Sequence, residues 1–342
     1  MTAAEMRRRR AAAQLLAGGS HDPAAAAAHL LGIQAQDLRA ARLALRARGA
    51  ARTAADVDAA LTDDRSLVVA RLMRGTLHLV ARDDHAWLHA LTAQLVAATS
   101  RRRLAQLGAD TERALPLIVR ALADEGPLAR AALGERLSAS GIRAEGQILP
   151  HLLALAAAAG DVVLGPVRDG AQLLAHAHDW LGPPQRPPER GAALAELARR
   201  YLRGHGPATD ADLAAWSGLP LRDARAGLAA IAGELAHAGG LLDLARRSAP
   251  PRRLPARLLG PFDPYLLGWR DRGFAVAAEH ARRTHPGGGI VRATAIAGGR
   301  AVGTWTARRG TVSLEPFAPL PASTYDALRR EQAAIARFDR PR

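Results

Sequence analysis

GPLARAALGERLSASGIRAEGQILPHLLALAAAAGDVVLGPVRDGAQLL, residues 126–174, is the stretch whose reading decides the fold. Gly126-Pro127 opens a helix that runs through Leu137. Ser140-Gly141-Ile142 supplies a turn, and a second helix runs from about Glu145 to Ala159. Gly160-Asp161 stops it, because glycine takes the left-handed conformation that ends helices at little steric cost. Val162-Val163-Leu164 then starts a strand, Arg168-Asp169-Gly170 forms a hairpin tip, and Gln172-Leu173-Leu174 returns. Helix, turn, helix, hairpin is the order of a winged helix-turn-helix unit.

The same order recurs downstream. Gly206-Pro207 with Leu213 repeats Gly126-Pro127 with Leu133 at an offset of 80 residues. Thr209 and Asp212 have the spacing of a capping box. Trp216-Ser217-Gly218-Leu219-Pro220 is a tight turn, and Leu221 to Ala232 is the second helix. The Pro-rich run from Gly182 to Pro188 links the copies.

Upstream, helices are expected near 4–17, 23–32 and 53–61. Leu67–Ala70 and Thr76–Val80 read as a hairpin turned at Met73-Arg74-Gly75. Asp83-Asp84 should cap a long helix ending near Arg101-Arg102-Arg103. The last hundred residues are richer in Pro and Gly. They carry β-like runs at 256–259, 290–297, 301–306 and 311–314, then a helix at 323–336. The expected fold is therefore mainly α with β-wings. Its segments are 1–108, 109–185, 190–247 and a β-rich C-terminal domain at 250–342 with its terminal helix.

The net charge of +15 says more about partners than about fold. The chain has no Lys and no Asn, so all 47 basic residues are Arg. Codon bias explains why the cations are Arg, but not why they outnumber the 32 carboxylates. Nucleic acid is the expected partner, against a surface shaped only by genome composition. Arg7-Arg8-Arg9-Arg10 should form the basic face of an amphipathic first helix. There is no cysteine, which excludes disulfides, thiolate nucleophiles and Cys-ligated metal. No uncharged apolar run reaches membrane-spanning length, and the expected location is cytoplasmic and nucleoid-associated.

Gln34-Ala35-Gln36-Asp37 carries a candidate chemistry. In an extended segment, alternation puts Gln34 and Gln36 on one face, where two amides can hold and orient a water. Glutamine has no pKa suited to general-base work, so such a pair serves only a leaving group that is already activated. A nucleobase alkylated at N7 or N3 meets that condition. The plainer reading is a polar helix end. Without Lys there is no side-chain amine for a Schiff base, so any base excision should stop at an abasic site. His85 with His89, and His176 with His178, have metal-ligand spacing but no evident third ligand, and no metal or cofactor is expected. The second helices offer Arg143, Gln147 and His151, then Arg222 and Arg225, which suits shape recognition more than base reading.

Five segments taken together point to a family. They are Gly32-Ile33-Gln34-Ala35-Gln36-Asp37, Met73-Arg74-Gly75-Thr76-Leu77-His78-Leu79-Val80, and Gly206-Pro207 through Leu219. Pro261-Phe262-Asp263-Pro264-Tyr265-Leu266-Leu267-Gly268-Trp269-Arg270-Asp271-Arg272 and Leu314-Glu315-Pro316-Phe317 complete the set. In this order the chain resembles the winged-helix DNA-binding-domain proteins of actinobacteria. That group is similar to the glycosylases that repair interstrand crosslinks and bulky alkylpurines, the azinomycin self-resistance glycosylase family. The resemblance implies three tandem winged helices, a basic surface for double-stranded DNA, and catalysis by a Gln–apolar–Gln motif. Gln34 would place the water; Gln36 would hold it or stabilise the cationic sugar. The middle residue is Ala35, smaller than the aliphatic residue often found there. DNA contacts would come from Arg7, Arg8, Arg9, Arg10, Arg71, Arg74, Arg101, Arg102, Arg103, Arg270 and Arg272, with Thr76 and His78 bordering the site. The expected state is a monomer, and the rival expectation is a non-catalytic winged-helix DNA-binding protein, a transcription regulator.

Overall fold

The computed structural model describes residues 1–19, 22–183, 185–308 and 310–339. The fold is mixed α+β with small antiparallel sheets, and it divides into two compact units. Residues 1–57 and 194–342 form the first, and 58–193 the second. The expected segment 109–185 lies within the second unit, whereas 1–108 is divided at Val57.

In the second unit, Leu67–Arg71 pairs antiparallel with Leu77–Ala81, turning through Met73–Gly75 as expected. Arg74 (φ 54°) and Gly75 (φ 70°) both take left-handed backbone there. The helices Arg82–Gln106, Thr111–Glu125, Arg130–Ala139 and Ile148–Ala159 follow, then the hairpin Val162–Arg168 and Ala171–His176. Val69 pairs with Leu164, so the two hairpins share one sheet. Leu104, Ile118, Leu133, Leu137 and Leu152 fill the core between the helices and the sheet.

The helix-turn-helix-hairpin order is present twice, with one refinement. The helix after Gly126-Pro127 begins only at Arg130, because Leu128 first makes a β-bridge to Leu174 of the hairpin. In the first unit Ala208 makes the same bridge to Leu242, preceding the helix Asp210–Ser217. Leu128 and Ala208 are equivalent in the repeat, so it extends to backbone pairing. Each Gly-Pro feeds an extended residue that tethers its helix pair to its own hairpin.

The first unit contains the helices Ala3–Ala13, Pro23–Leu30, Leu38–Ala47, Arg190–His205, Asp210–Ser217 and Leu221–Ala230. The Thr209–Asp212 capping box forms as its spacing indicates. Gly227 passes so close to Leu194 that a Cβ would meet the Leu194 carbonyl oxygen at 2.3 Å. Beyond the hairpin Leu235–Ala238 and Leu241–Leu244, four strands pair in the order Thr311–Pro316, Arg300–Arg308, Thr294–Ala297, Arg257–Leu259. The terminal helix Ala322–Phe338 packs Leu328, Ile335 and Phe338 against Trp305 and Leu258 of this sheet.

Two local expectations need correction. Asp83-Asp84 does not cap the long helix; Ala81 holds the cap position, and Asp84 lies in the first turn, buried, accepting a hydrogen bond from Trp87 Nε1 at 3.1 Å. The first helix has no basic face. Consecutive residues advance about 100° around a helix, so Arg7 to Arg10 point in four directions. The helix Leu38–Ala47 was not anticipated, although its apolar positions 40, 41, 43, 44, 45 and 47 are all buried.

A fully buried ion pair knits the first unit together. Arg48 donates to both oxygens of Asp263, at 3.0 and 2.9 Å, and both side chains are 0% exposed. Gln14 accepts from Arg48 Nη2 at 2.8 Å and donates to the Gly204 carbonyl at 2.7 Å. Asp263 also accepts from the Tyr265 N–H at 2.9 Å. This network accounts for the Pro-Phe-Asp-Pro-Tyr segment.

Candidate nucleic-acid interface and glutamine pair

The glutamines lie between two helices of the first unit. The helix Pro23–Leu30 ends on Leu31 in left-handed backbone (φ 64°), Gly32 (φ 142°) follows, and Ile33–Gln34 is extended. Asp37 then caps the helix Leu38–Ala47, accepting from Arg39 N–H at 2.9 Å. Burial alternates along the segment. Ile33 and Ala35 are 0% and 2% exposed, whereas Gln34 is half-buried and Gln36 exposed. Both amides therefore lie on the side opposite the anchoring Ile33 and Ala35, and the small middle residue points into the core.

The basic residues divide into buried and open sets. Arg10 is 5% exposed, lies over the Trp269 and Phe274 rings at 4.7 and 4.4 Å, and donates to the Pro207 carbonyl at 3.0 Å. It packs the aromatic cluster. Arg7 donates to the Phe274 carbonyl at 3.4 Å, and Arg9 pairs with Glu5 at 3.0 Å. Arg8 is half-buried, and Arg270 is exposed. The Arg272 guanidinium is half-buried, donating to the Leu266 carbonyl at 2.6 Å, and burial lowers its pKa.

In the second unit the structure brings several candidates together. Arg71 donates to the Gly75 carbonyl at 2.6 Å, which braces the hairpin turn carrying exposed Arg74. Thr76 donates to the Met73 carbonyl at 3.1 Å. His78 is 2% exposed and hydrogen-bonds the Thr76 carbonyl at 3.0 Å. Burial, with Arg74 nearby, pushes its pKa down to about 3, so it is a neutral packing group at neutral pH. Arg101 and Arg102 are exposed. Arg103 holds the Gln147 carbonyl oxygen through Nε and Nη2 at 2.9 and 2.7 Å. Burial lowers the pKa of His151, and the fields of Arg103 and Arg71 lower it further. Sequence reading missed Arg130 and Gln172, which line a cavity beside Arg71. The signal for Gln172 was a polar residue within an otherwise apolar strand, whereas Arg130 opens a helix and gave no such signal.

His85, His89, His176 and His178 line a second cavity of about 360 Å³ in this unit. His85 stacks on His89 with ring centres 5.6 Å apart, and burial lowers its pKa to about 4. Among the described residues no three His, Asp or Glu side chains form a group able to hold a metal ion. No helix among them is long and apolar enough to cross a membrane.

The family model described as DNA glycosylase AlkZ-like matches residues 27–338. Among solved structures, the chain is similar to the DNA glycosylase AlkZ of Streptomyces sahachiroi, at 23% identity and a TM-score of 0.81. That match covers 99% of this chain and 96% of the other, and at this identity it establishes likeness of fold. No curated protein matches the chain.

Proposed function

The chain belongs to the AlkZ-like DNA glycosylase family, and on that premise we propose a monofunctional glycosylase that excises N7- or N3-alkylated purines, crosslinked ones included, with a water held by Gln34 and Gln36. The observation that carries this reading is the outward pairing of two amides on a segment anchored by buried Ile33 and Ala35. An alkylated purine is cationic and departs as a neutral base, so the C1′–N bond breaks without a general acid. The sugar left behind is oxocarbenium-like. The Gln34 carbonyl oxygen accepts a hydrogen bond from the attacking water and aims its lone pair at C1′. The Gln36 carbonyl dipole stabilises the positive sugar. The C1′–O bond forms, and the water's second proton passes to solvent.

A chain with no lysine has no side-chain amine to capture the resulting abasic sugar, which supports cleavage of the glycosidic bond only. DNA contact falls in this reading to the open arginines: Arg74, Arg101 and Arg102 with Arg71 and Arg103 in one unit, Arg8 and Arg270 in the other. A monomeric, cytoplasmic, nucleoid-associated protein accords with it.

The test is base release from duplex DNA carrying N7-methylguanine, comparing wild type with the Gln34→Ala, Gln36→Ala double variant. Abasic sites from wild type alone support the reading. If both proteins bind the duplex tightly and neither releases a base, the non-catalytic regulator takes its place for this lesion.

A further inference from the structure

The segment that carries Gln34 and Gln36 is short and lies between two helix ends. Its downstream end is fixed locally, where Asp37 caps the helix Leu38–Ala47. Its upstream end is the last turn of Pro23–Leu30, which leads through Leu31 (φ 64°) and Gly32 (φ 142°) into Ile33–Gln34. The final carbonyls of a helix have no full set of partners within it, so groups outside the helix decide how firmly that turn is held.

Those groups come from far along the chain. Arg200 donates through Nη2 to the Ala28 carbonyl at 2.6 Å, across 172 positions of sequence. The same carbonyl accepts from the Leu31 N–H at 3.2 Å, so Arg200 bonds the atom that closes the turn. A cation at a helix C-terminus also meets the negative end of the helix dipole. One turn further along Arg190–His205, Gly204 lies against the same helix end. A Cβ there would stand 2.8 Å from the His29 carbonyl oxygen and 3.2 Å from the Leu30 Cα. His29 Nε2 donates to the Ala13 carbonyl at 2.8 Å, and Leu30, Leu31 and Ile33 are fully buried.

We propose that Arg200 is a positioning residue for base excision. Its bond to Ala28 sets the direction in which the chain leaves the helix, and so aims Gln34 and Gln36. The inference rests on the glutamine reading of catalysis. Arg200 acts through the backbone from Ala28 to Gln34 and needs no contact with DNA. A catalytic group displaced by about 1 Å loses on the order of a hundredfold in rate, so a modest shift of the helix end is felt in the chemistry. The rigid guanidinium fork holds a fixed acceptor better than an ammonium on a flexible stem.

The experiment compares wild type, Arg200→Ala and Arg200→Lys in three measurements. They are single-turnover release of N7-methylguanine at saturating enzyme, affinity for the same duplex, and amide hydrogen exchange over residues 31–36. Arg200→Ala should lower the rate about ten- to a hundredfold while the duplex Kd changes less than about twofold. Exchange over 31–36 should quicken. Arg200→Lys, which keeps the charge and a donor, should recover part of the rate at the same Kd; should the alanine variant fail to fold, a rate between wild type and one-tenth of it at unchanged Kd carries the test. An unchanged rate in a folded variant overturns the inference. So does an affinity loss as large as the rate loss, which would make Arg200 a phosphate contact. Both results leave the glycosylase reading intact. If wild type releases no base, that reading fails for this lesion and the inference fails with it, whatever the exchange shows.

Discussion

Arg48 and Asp263 are 215 residues apart in the chain and face each other in a two-pronged ion pair from which solvent is wholly excluded. The pair joins the end of the helix Leu38–Ala47 to the Pro-Phe-Asp-Pro-Tyr segment, and Gln14 and Gly204 extend it to two further helices. Two charges removed from water are tolerated here because each has several partners; either one alone would be stranded. Asp263→Ala should therefore destabilise the protein by about 3–5 kcal/mol. A paired apolar replacement, Arg48→Met with Asp263→Leu, should recover part of that loss. Denaturant unfolding of the single and double variants measures both. An Asp263→Ala loss below about 1 kcal/mol would show that the network carries little.

A pair of amides predicts a rate without a titrating catalyst. Excision of N7-methylguanine should stay level from pH 5.5 to 9 at saturating enzyme. A limb rising near the ordinary histidine pKa of about 6.5 would point to an imidazole base and away from the glutamines. Gln34→Glu should introduce such a limb in the carboxylate range, because it replaces a neutral acceptor with a titratable one.

Burial makes the fold sensitive to acid. His78 and His205 have pKa values pushed down to about 3, and His85 to about 4, with desolvation the first cause in each. In the unfolded chain these side chains take up a proton near pH 6.5. Their folded pKa is depressed, so the unfolded state binds more protons between about 6.5 and the folded values. Stability is thus fully present above pH 6.5 and falls as pH drops through that window, by about 1.4 kcal/mol per pH unit for each histidine. Urea midpoints at pH 7, 6 and 5 should fall in turn, and His78→Gln should make the decline shallower. Equal midpoints at pH 7 and 5 would contradict this.

The open and buried arginines should separate in a salt titration of DNA binding. Removing a phosphate contact lowers the slope of log K against log salt by about 0.9. Arg101→Ala with Arg102→Ala should reduce that slope by up to about 2 and leave the unfolding midpoint in place. Arg10→Ala should do the reverse, keeping the slope while losing about 1–3 kcal/mol of stability with its ring contacts and carbonyl bond. A shallower slope in Arg10→Ala would return that residue to the interface.

The amino-acid sequence by itself determined what short-range physics controls. The Gly-Pro repeat, the Thr209–Asp212 box, the Met73–Gly75 turn and the helix-turn-helix-hairpin order all rest on residues a few positions apart, whose backbone preferences act wherever the segment lies. The alternation of Gln34 and Gln36 against Ile33 and Ala35 was legible for the same reason. Only the tertiary structure decided what depends on distant partners. Arg7 to Arg10 and Arg101 to Arg103 look alike as runs of charge, yet Trp269 and Phe274 enclose Arg10 while nothing covers Arg101. Val69 meets Leu164, 95 positions further along the chain, and fuses two hairpins that read as separate. Burial of a charge, or the joining of two strand edges, is set by which surfaces meet when the chain closes, and no local preference encodes that meeting.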